Sequence, residues 1–125
     1  GGWPAQEPRP PNWNCSHAAR ARHHGAIAAA PLLTEAAADV ITGAFRNRWR
    51  TLLSFDDVVA AVVGACEEAA VLASTYFVLT SDHGYQLGEL NLPMDKRHVY
   101  DWDTRVPFVV AGPGIAAGSS FTQPA

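Results

Sequence analysis

Asp82 and His83 stand side by side in the stretch SDHGYQLGE, directly after the apolar run TYFVLT. A carboxylate suits a hard divalent cation such as calcium or magnesium, and an imidazole nitrogen can take another coordination position. Two adjacent donors do not complete a shell. Calcium takes about six or more, so other strands must supply the rest. The competing reading is a polar turn in which Asp82 caps the backbone and His83 is incidental. Spacing alone divides evenly between the two.

The segment LNLPMDKRHVYDWDTR lies between two apolar runs and contains Lys96, the only lysine of the chain. A lysine on a loop is a mobile, strongly charged donor that reaches a phosphate or sulfate oxygen. Its bland alternative is a solvated surface charge. His98 and Tyr100 follow, and His98 is a candidate substrate contact. Arg105 reads either as a strand-start surface residue or as a partner for Asp101 or Asp103. His23-His24 resembles a metal pair, yet adjacent residues on regular structure point in different directions, so a surface loop is expected. Cys15 and Cys66 allow one disulfide at most, and Cys66 reads as a small buried hydrophobe in a helical run.

The elements that must position these residues are legible in outline. Residues 1–14, GGWPAQEPRPPNWN, are proline-rich and aperiodic, an irregular lead-in whose Trp3 and Trp13 are expected to pack on the domain surface. Residues 1–40 as a whole form a Pro/Ala-rich lead-in, with a short helix expected at 32–40. Ile41, Phe45, Trp49 and Leu52-Leu53 recur at helical spacing, with Arg46, Arg48 and Arg50 turned outward. Ser54, followed by Asp56 and Asp57, is the expected N-cap of a second helix with Val58, Val62, Ala65, Ala69 and Leu72 along one stripe. Residues 75–81 and 106–111 then read as strands buried on both faces, as in a parallel sheet covered by helices. The second is closed by Gly112-Pro113-Gly114. This order predicts part of a layered α/β domain, in which ligand sites lie at the carboxyl ends of the strands. Asp82 and His83 sit at such an end, and Gly84 lets the chain turn there.

With 48% hydrophobic and 17% charged residues the chain is not of disordered type. A net charge of -3 leaves no basic footprint for nucleic acid, and every long apolar run is interrupted before it could span a membrane. The chain opens on Gly1-Gly2 and reads as an internal piece of a longer protein.

The combination S-D-H-G, then L-P-x-D-K-R, then R-V-P and G-P-G-I within residues 75–115 resembles the sulfatase family. The branch it resembles contains N-acetylglucosamine-6-sulfatases and plant and algal arylsulfatases, and the resemblance spans roughly residues 41–121. It implies an alkaline-phosphatase-like α/β fold, a three-layer sandwich with a mostly parallel sheet, of which 41–125 is an incomplete part. It further implies a sulfuric ester hydrolase that uses calcium and a formylglycine nucleophile. The substrate would be a sulfated sugar or aryl sulfate, and the protein would be secreted, periplasmic or cell-wall, or lysosomal. Residue by residue, Asp82 resembles a carboxylate ligand of the family's calcium, and His83 stands where that branch often has asparagine. Lys96 matches the lysine that contacts the sulfate. Cys15 is followed by SHAA rather than x-P-x-R, so it is not the formylglycine precursor, and Asp56-Asp57 match no metal motif. The alternatives are an inactive sulfatase-like remnant or binding module, or a phosphoesterase of the same superfamily.

Overall fold

Residues 9–122 are described by the computed structural model, and Trp3 lies outside them. Thr34 opens the dominant element. Its hydroxyl accepts from the Ala37 amide at 3.2 Å, and helix α3 follows as 34 residues, Glu35–Glu68. At 1.5 Å per residue that is a rod of about 50 Å. The expected short helix at 32–40 is its first turns, and the expected start at Ser54 is absent, because Ser54 and Asp57 lie within the helix. No glycine or proline interrupts residues 44–63, and extending a helix costs less than nucleating another.

The end of α3 is a Schellman motif. Val71 N–H donates to Cys66 C=O at 3.0 Å and Ala70 N–H to Glu67 C=O at 2.9 Å. Ala70 takes the left-handed conformation this requires, with φ 57°, although glycine fits there without a Cβ penalty. A short 3₁₀ turn, Leu72–Ser74, leads into β1, Phe77–Thr80. Ahead of α3 lie two single-turn helices, α1 (His17–Arg20) and α2 (Gly25–Ala28). After β1 come α4 (Asp101–Thr104) and β2 (Phe108–Ala111).

β1 and β2 pair antiparallel, with Phe77 opposite Ala111 and Thr80 opposite Phe108. This corrects the expectation of a parallel pair. A parallel pair needs a crossover that carries the chain to the opposite end, usually on a helix. Residues 81–107 instead fold back over the exit of β1 and contain only the single turn α4. The strands are also not buried on both faces: β1 alternates half-buried and exposed residues, and Phe108 and Val109 are exposed. An apolar cleft of about 230 Å³ separates Phe55, Val58, Val59, Val62 and Val63 of α3 from Phe77, Val78 and Leu79 of β1. Val58 and Val62 are therefore open rather than packed, and only Ile41 and Thr42 of α3 are buried. Cys66, expected to be buried, is half-buried, and both thiols are free.

The core sits beneath the loop, not between helix and sheet. Ile27, Ile41 and Leu90 are its apolar members, joined by Arg20, Thr42, Gln86, Asn91 and Asp103. The guanidinium of Arg20 donates to the carbonyls of Cys15, Ile27 and Ala30, closing α1 and α2 into one compact lead-in. Asn91 then ties the lead-in to the loop, its amide donating to Cys15 C=O at 3.1 Å and Pro31 C=O at 3.0 Å. Trp13 packs as expected, its ring so close over Gly88 that a Cβ there would lie 1.9 Å from Cζ3. Exchanging Ala70 for glycine should raise stability by about 1 kcal/mol, because it lifts the left-handed penalty at the helix end. A higher urea midpoint at unchanged slope is the expected reading; an equal or lower midpoint would contradict it.

Candidate active site

The antiparallel pairing places the exit of β1 and the entry to β2 at the same end of the sheet. Asp82-His83 and the Lys96 loop therefore meet although they are separated in sequence. Gly84 makes the approach possible: a Cβ on it would stand 1.8 Å from the carbonyl oxygen of Trp102. Its N–H donates to Asp103 C=O at 2.7 Å, and the next N–H, of Tyr85, donates to Trp102 C=O at 2.8 Å.

Asp103 holds the loop together. It is 5% exposed, and its Oδ2 accepts from the Gln86 side-chain amide at 2.9 Å and the His98 N–H at 2.6 Å. A buried carboxylate must find donors, and these come from both limbs of the loop. Its Oδ1 and the Trp102 indole nitrogen are buried without a protein partner among the described residues. Gln86, 1% exposed, also donates its N–H to Asp95 C=O at 2.9 Å. Asp95 is the residue that aims the lysine. Its φ is 116°, a strained region for a side-chain-bearing residue. Its Oδ1 accepts from the Lys96 N–H at 2.9 Å and its Oδ2 pairs with Arg97 Nε at 2.7 Å.

The three residues singled out from the sequence come together. His83 Nδ1 lies 2.7 Å from the Gly84 carbonyl, which can only accept, so a proton sits on Nδ1, and Nε2 is the nitrogen turned toward Asp82 and Lys96. The Lys96 ammonium is hydrogen-bonded to that Nε2, and Asp82 Oδ2 is 3.2 Å from it. Asp82 also carries a 3.5 Å contact from the Ser81 hydroxyl. The arrangement is one cation and one open carboxylate around an imidazole, facing solvent.

His98 lies apart from this group, in a cluster of rings. It stacks on His24 with centroids 5.5 Å apart, and Tyr100 stacks on Trp102 at 4.7 Å. The Tyr100 hydroxyl is 3.0 Å from His23 Nδ1. The histidine pair thus forms a contact between lead-in and loop. No trio of His, Cys, Asp or Glu suited to a metal occurs among the described residues. Arg48, expected to face only water, lies over the Tyr85 ring at 4.6 Å. Sequence reasoning gave Asp103 no role beyond a possible partner for Arg105 and did not single out Gln86, since nothing in their types marks them as buried. The flanking Trp102 was the available hint.

Comparison with known proteins decides the family. The family profile described as Sulfatase matches residues 7–123. The chain belongs to the sulfatase family. It is 46% identical to human N-acetylglucosamine-6-sulfatase over 83 residues, covering 66% of this chain and 15% of that protein. It is 38% identical over 94 residues to the arylsulfatase of Volvox carteri, covering 75% of this chain and 14% of that protein. Against sulfatase ppz1 of Metarhizium majus it is 35% identical over 112 residues, 89% of this chain and 26% of the other. The chain thus spans about 15% of the length of the first of these relatives. No solved structure matches it. Sulfatase membership implies an alkaline-phosphatase-like α/β fold, of which the described residues show the long helix and one antiparallel strand pair.

In this sulfatase chain, Asp103→Ala should strand two donors and release the lysine loop, at a cost of about 3 kcal/mol. Hydrogen exchange at the His98 amide should accelerate by about 100-fold, with Asp103→Asn milder because one acceptor oxygen survives. Unchanged exchange in Asp103→Ala would show that the loop is held by other contacts.

Proposed function

We propose that these residues form the metal-and-anion wall of a sulfuric ester hydrolase of the arylsulfatase or N-acetylglucosamine-6-sulfatase type. The observation that carries this reading is the convergence of Asp82, His83 and Lys96 at one strand end, in a chain whose family is sulfatase. The mostly parallel sheet of the three-layer sandwich, with 41–125 as part of its catalytic domain and 1–40 as lead-in, belongs to the same proposal. So do a secreted, periplasmic or lysosomal setting and a sulfated sugar or aryl sulfate substrate.

We read Asp82 and His83 as two of the cation's ligands, of the oxygen and nitrogen types a divalent ion takes, while in this structure the Lys96 ammonium is hydrogen-bonded to His83 Nε2. Asp82 Oδ2 and His83 Nε2, 3.2 Å apart, are an oxygen and a nitrogen at the separation of neighbouring ligands. Their side chains are 82% and 32% exposed, so both can be approached. The remaining ligands are not among the described residues. When bound, a calcium ion would supply Lewis-acid polarisation of a sulfate oxygen. Lys96 contributes a second positive charge, set by the Asp95 and Gln86 bonds, to stabilise negative charge growing on the sulfate oxygens. His98 is proposed to line the substrate's approach, from the ring cluster beside the lysine loop.

Residues 1–125 contain no C/S-x-P-x-R segment, so the formylglycine nucleophile is not provided by them. That observation favours a second reading for the isolated polypeptide, a binding module without turnover. A phosphoesterase is less well supported, because the lysine loop carries the sulfatase pattern. The test is hydrolysis of a chromogenic aryl sulfate by the longer protein that carries this segment and a C/S-x-P-x-R motif. Lys96→Ala should lower kcat on the order of 100-fold or more, while residues 1–125 alone should give no turnover. Full activity in Lys96→Ala would sink the anion-site role.

A further inference from the structure

Three of the chain's five histidines, His23, His24 and His98, meet where the lead-in touches the lysine loop. The His24 and His98 rings stack with centroids 5.5 Å apart and planes inclined by 27°. Tyr100 joins both segments: its ring lies 6.1 Å from that of His24, and its hydroxyl is 3.0 Å from His23 Nδ1. Imidazole changes charge between pH 5 and 8, so this seam is built from groups that acid converts to cations.

The two histidine contacts respond differently to acid. Between His23 and Tyr100 a bond survives in either state. The hydroxyl donates to Nδ1 when that nitrogen is bare and accepts from it when it is protonated. One proton at the His24–His98 stack is tolerated as well. On His98 it sits in the residue whose own N–H is held at 2.6 Å by the Asp103 carboxylate; on His24 it faces the Tyr100 ring. A second proton sets two like charges face to face, and they repel. The remaining charges on these segments do little to offset that cost. Arg20 in the lead-in is a cation bound to Ile27 C=O, and in the loop Lys96 and Arg97 precede His98, with Arg97 paired to Asp95. Of the acids beside Tyr100, Asp103 is committed to Gln86 and the His98 N–H, and Asp101 is exposed.

We infer that His24 and His98 form an acid-sensitive latch, which holds the lead-in against the lysine loop at neutral pH and opens when both rings are protonated. The open form binds more protons than the closed form, so opening is favoured as pH falls and closure as pH rises. Opening is local. The bonds of Arg20 to Cys15, Ile27 and Ala30, and of Asn91 to Cys15 and Pro31, involve no imidazole. The lead-in therefore keeps its own fold and its second tie to the loop, and what is released is the ring cluster that follows Lys96.

Hydrogen exchange read by mass spectrometry tests this on the full-length protein that carries these residues, at pH 7 and pH 5, with each rate divided by the intrinsic rate at that pH. Protection in peptides covering residues 24–30 and 98–105 should fall about 10-fold at pH 5, while peptides from the middle of α3 keep theirs. His24→Gln and His98→Gln each leave a single imidazole at the stack, and each should abolish this pH dependence. His23→Gln should retain it, because the Tyr100 contact does not supply it. His24 is exposed, so its replacement leaves the buried core untouched. Equal protection at the two pH values in the native protein, or a loss that persists in full in His24→Gln and His98→Gln, would overturn the latch.

Discussion

A carboxylate taken almost wholly out of water needs donors close at hand, and the loop above the sheet is shaped by that need at Asp103. One oxygen gathers the Gln86 side chain and the His98 backbone, while the carbonyl of the same residue takes the Gly84 N–H. Those three donors come from the chain just after β1 and just after Lys96. Satisfying the buried charge therefore draws the two limbs together. The distance between the strand-end imidazole and the lysine is a by-product of that tether. Gly84 is part of the same constraint, because the backbone of Trp102 lies where any Cβ would have to go.

The antiparallel pairing works in the same direction. Because β2 begins beside the end of β1, the intervening residues leave and return at one end of the sheet, and Asp82, His83 and Lys96 are confined to a small region. The lead-in closes this arrangement from the far side through Arg20, Asn91 and the rings around Tyr100. The polar centre is tied together by these bonds, with Thr42 Oγ1, Asn91 Oδ1, Trp102 Nε1 and Asp103 Oδ1 buried without a protein partner among the described residues, whereas the apolar faces of α3 and β1 stand apart across an open cleft.

The residues of the candidate site could be singled out before any fold was known. Asp82, His83 and Lys96 could be picked out because each is chemically conspicuous against its neighbours: an acid and an imidazole at the end of an apolar run, and a solitary ammonium between two such runs. The strands were found for the same reason. Ser54 misled because a capping pattern is also compatible with a helix interior when nothing breaks the helix before it. The strand direction misled because an apolar run reports burial, and burial does not fix the orientation of a partner. Asp103, Gln86, Asn91 and Arg20 could not be recognised, since polar side chains of these types are mostly at the surface. Their burial follows only from donors and acceptors brought near from elsewhere in the chain.

By itself, then, the sequence determined the local quantities. It set where helix and strand are favoured, where the backbone must turn, and which side chains carry charge or a lone pair. These depend on neighbours a few residues away. Tertiary structure alone decided that β2 runs against β1, that the exposed Lys96 meets His83, and that the buried Asp103 ties the two limbs of the loop together. Those outcomes turn on desolvation and hydrogen bonding between residues far apart along the chain, whose energies exist only once the chain has closed on itself.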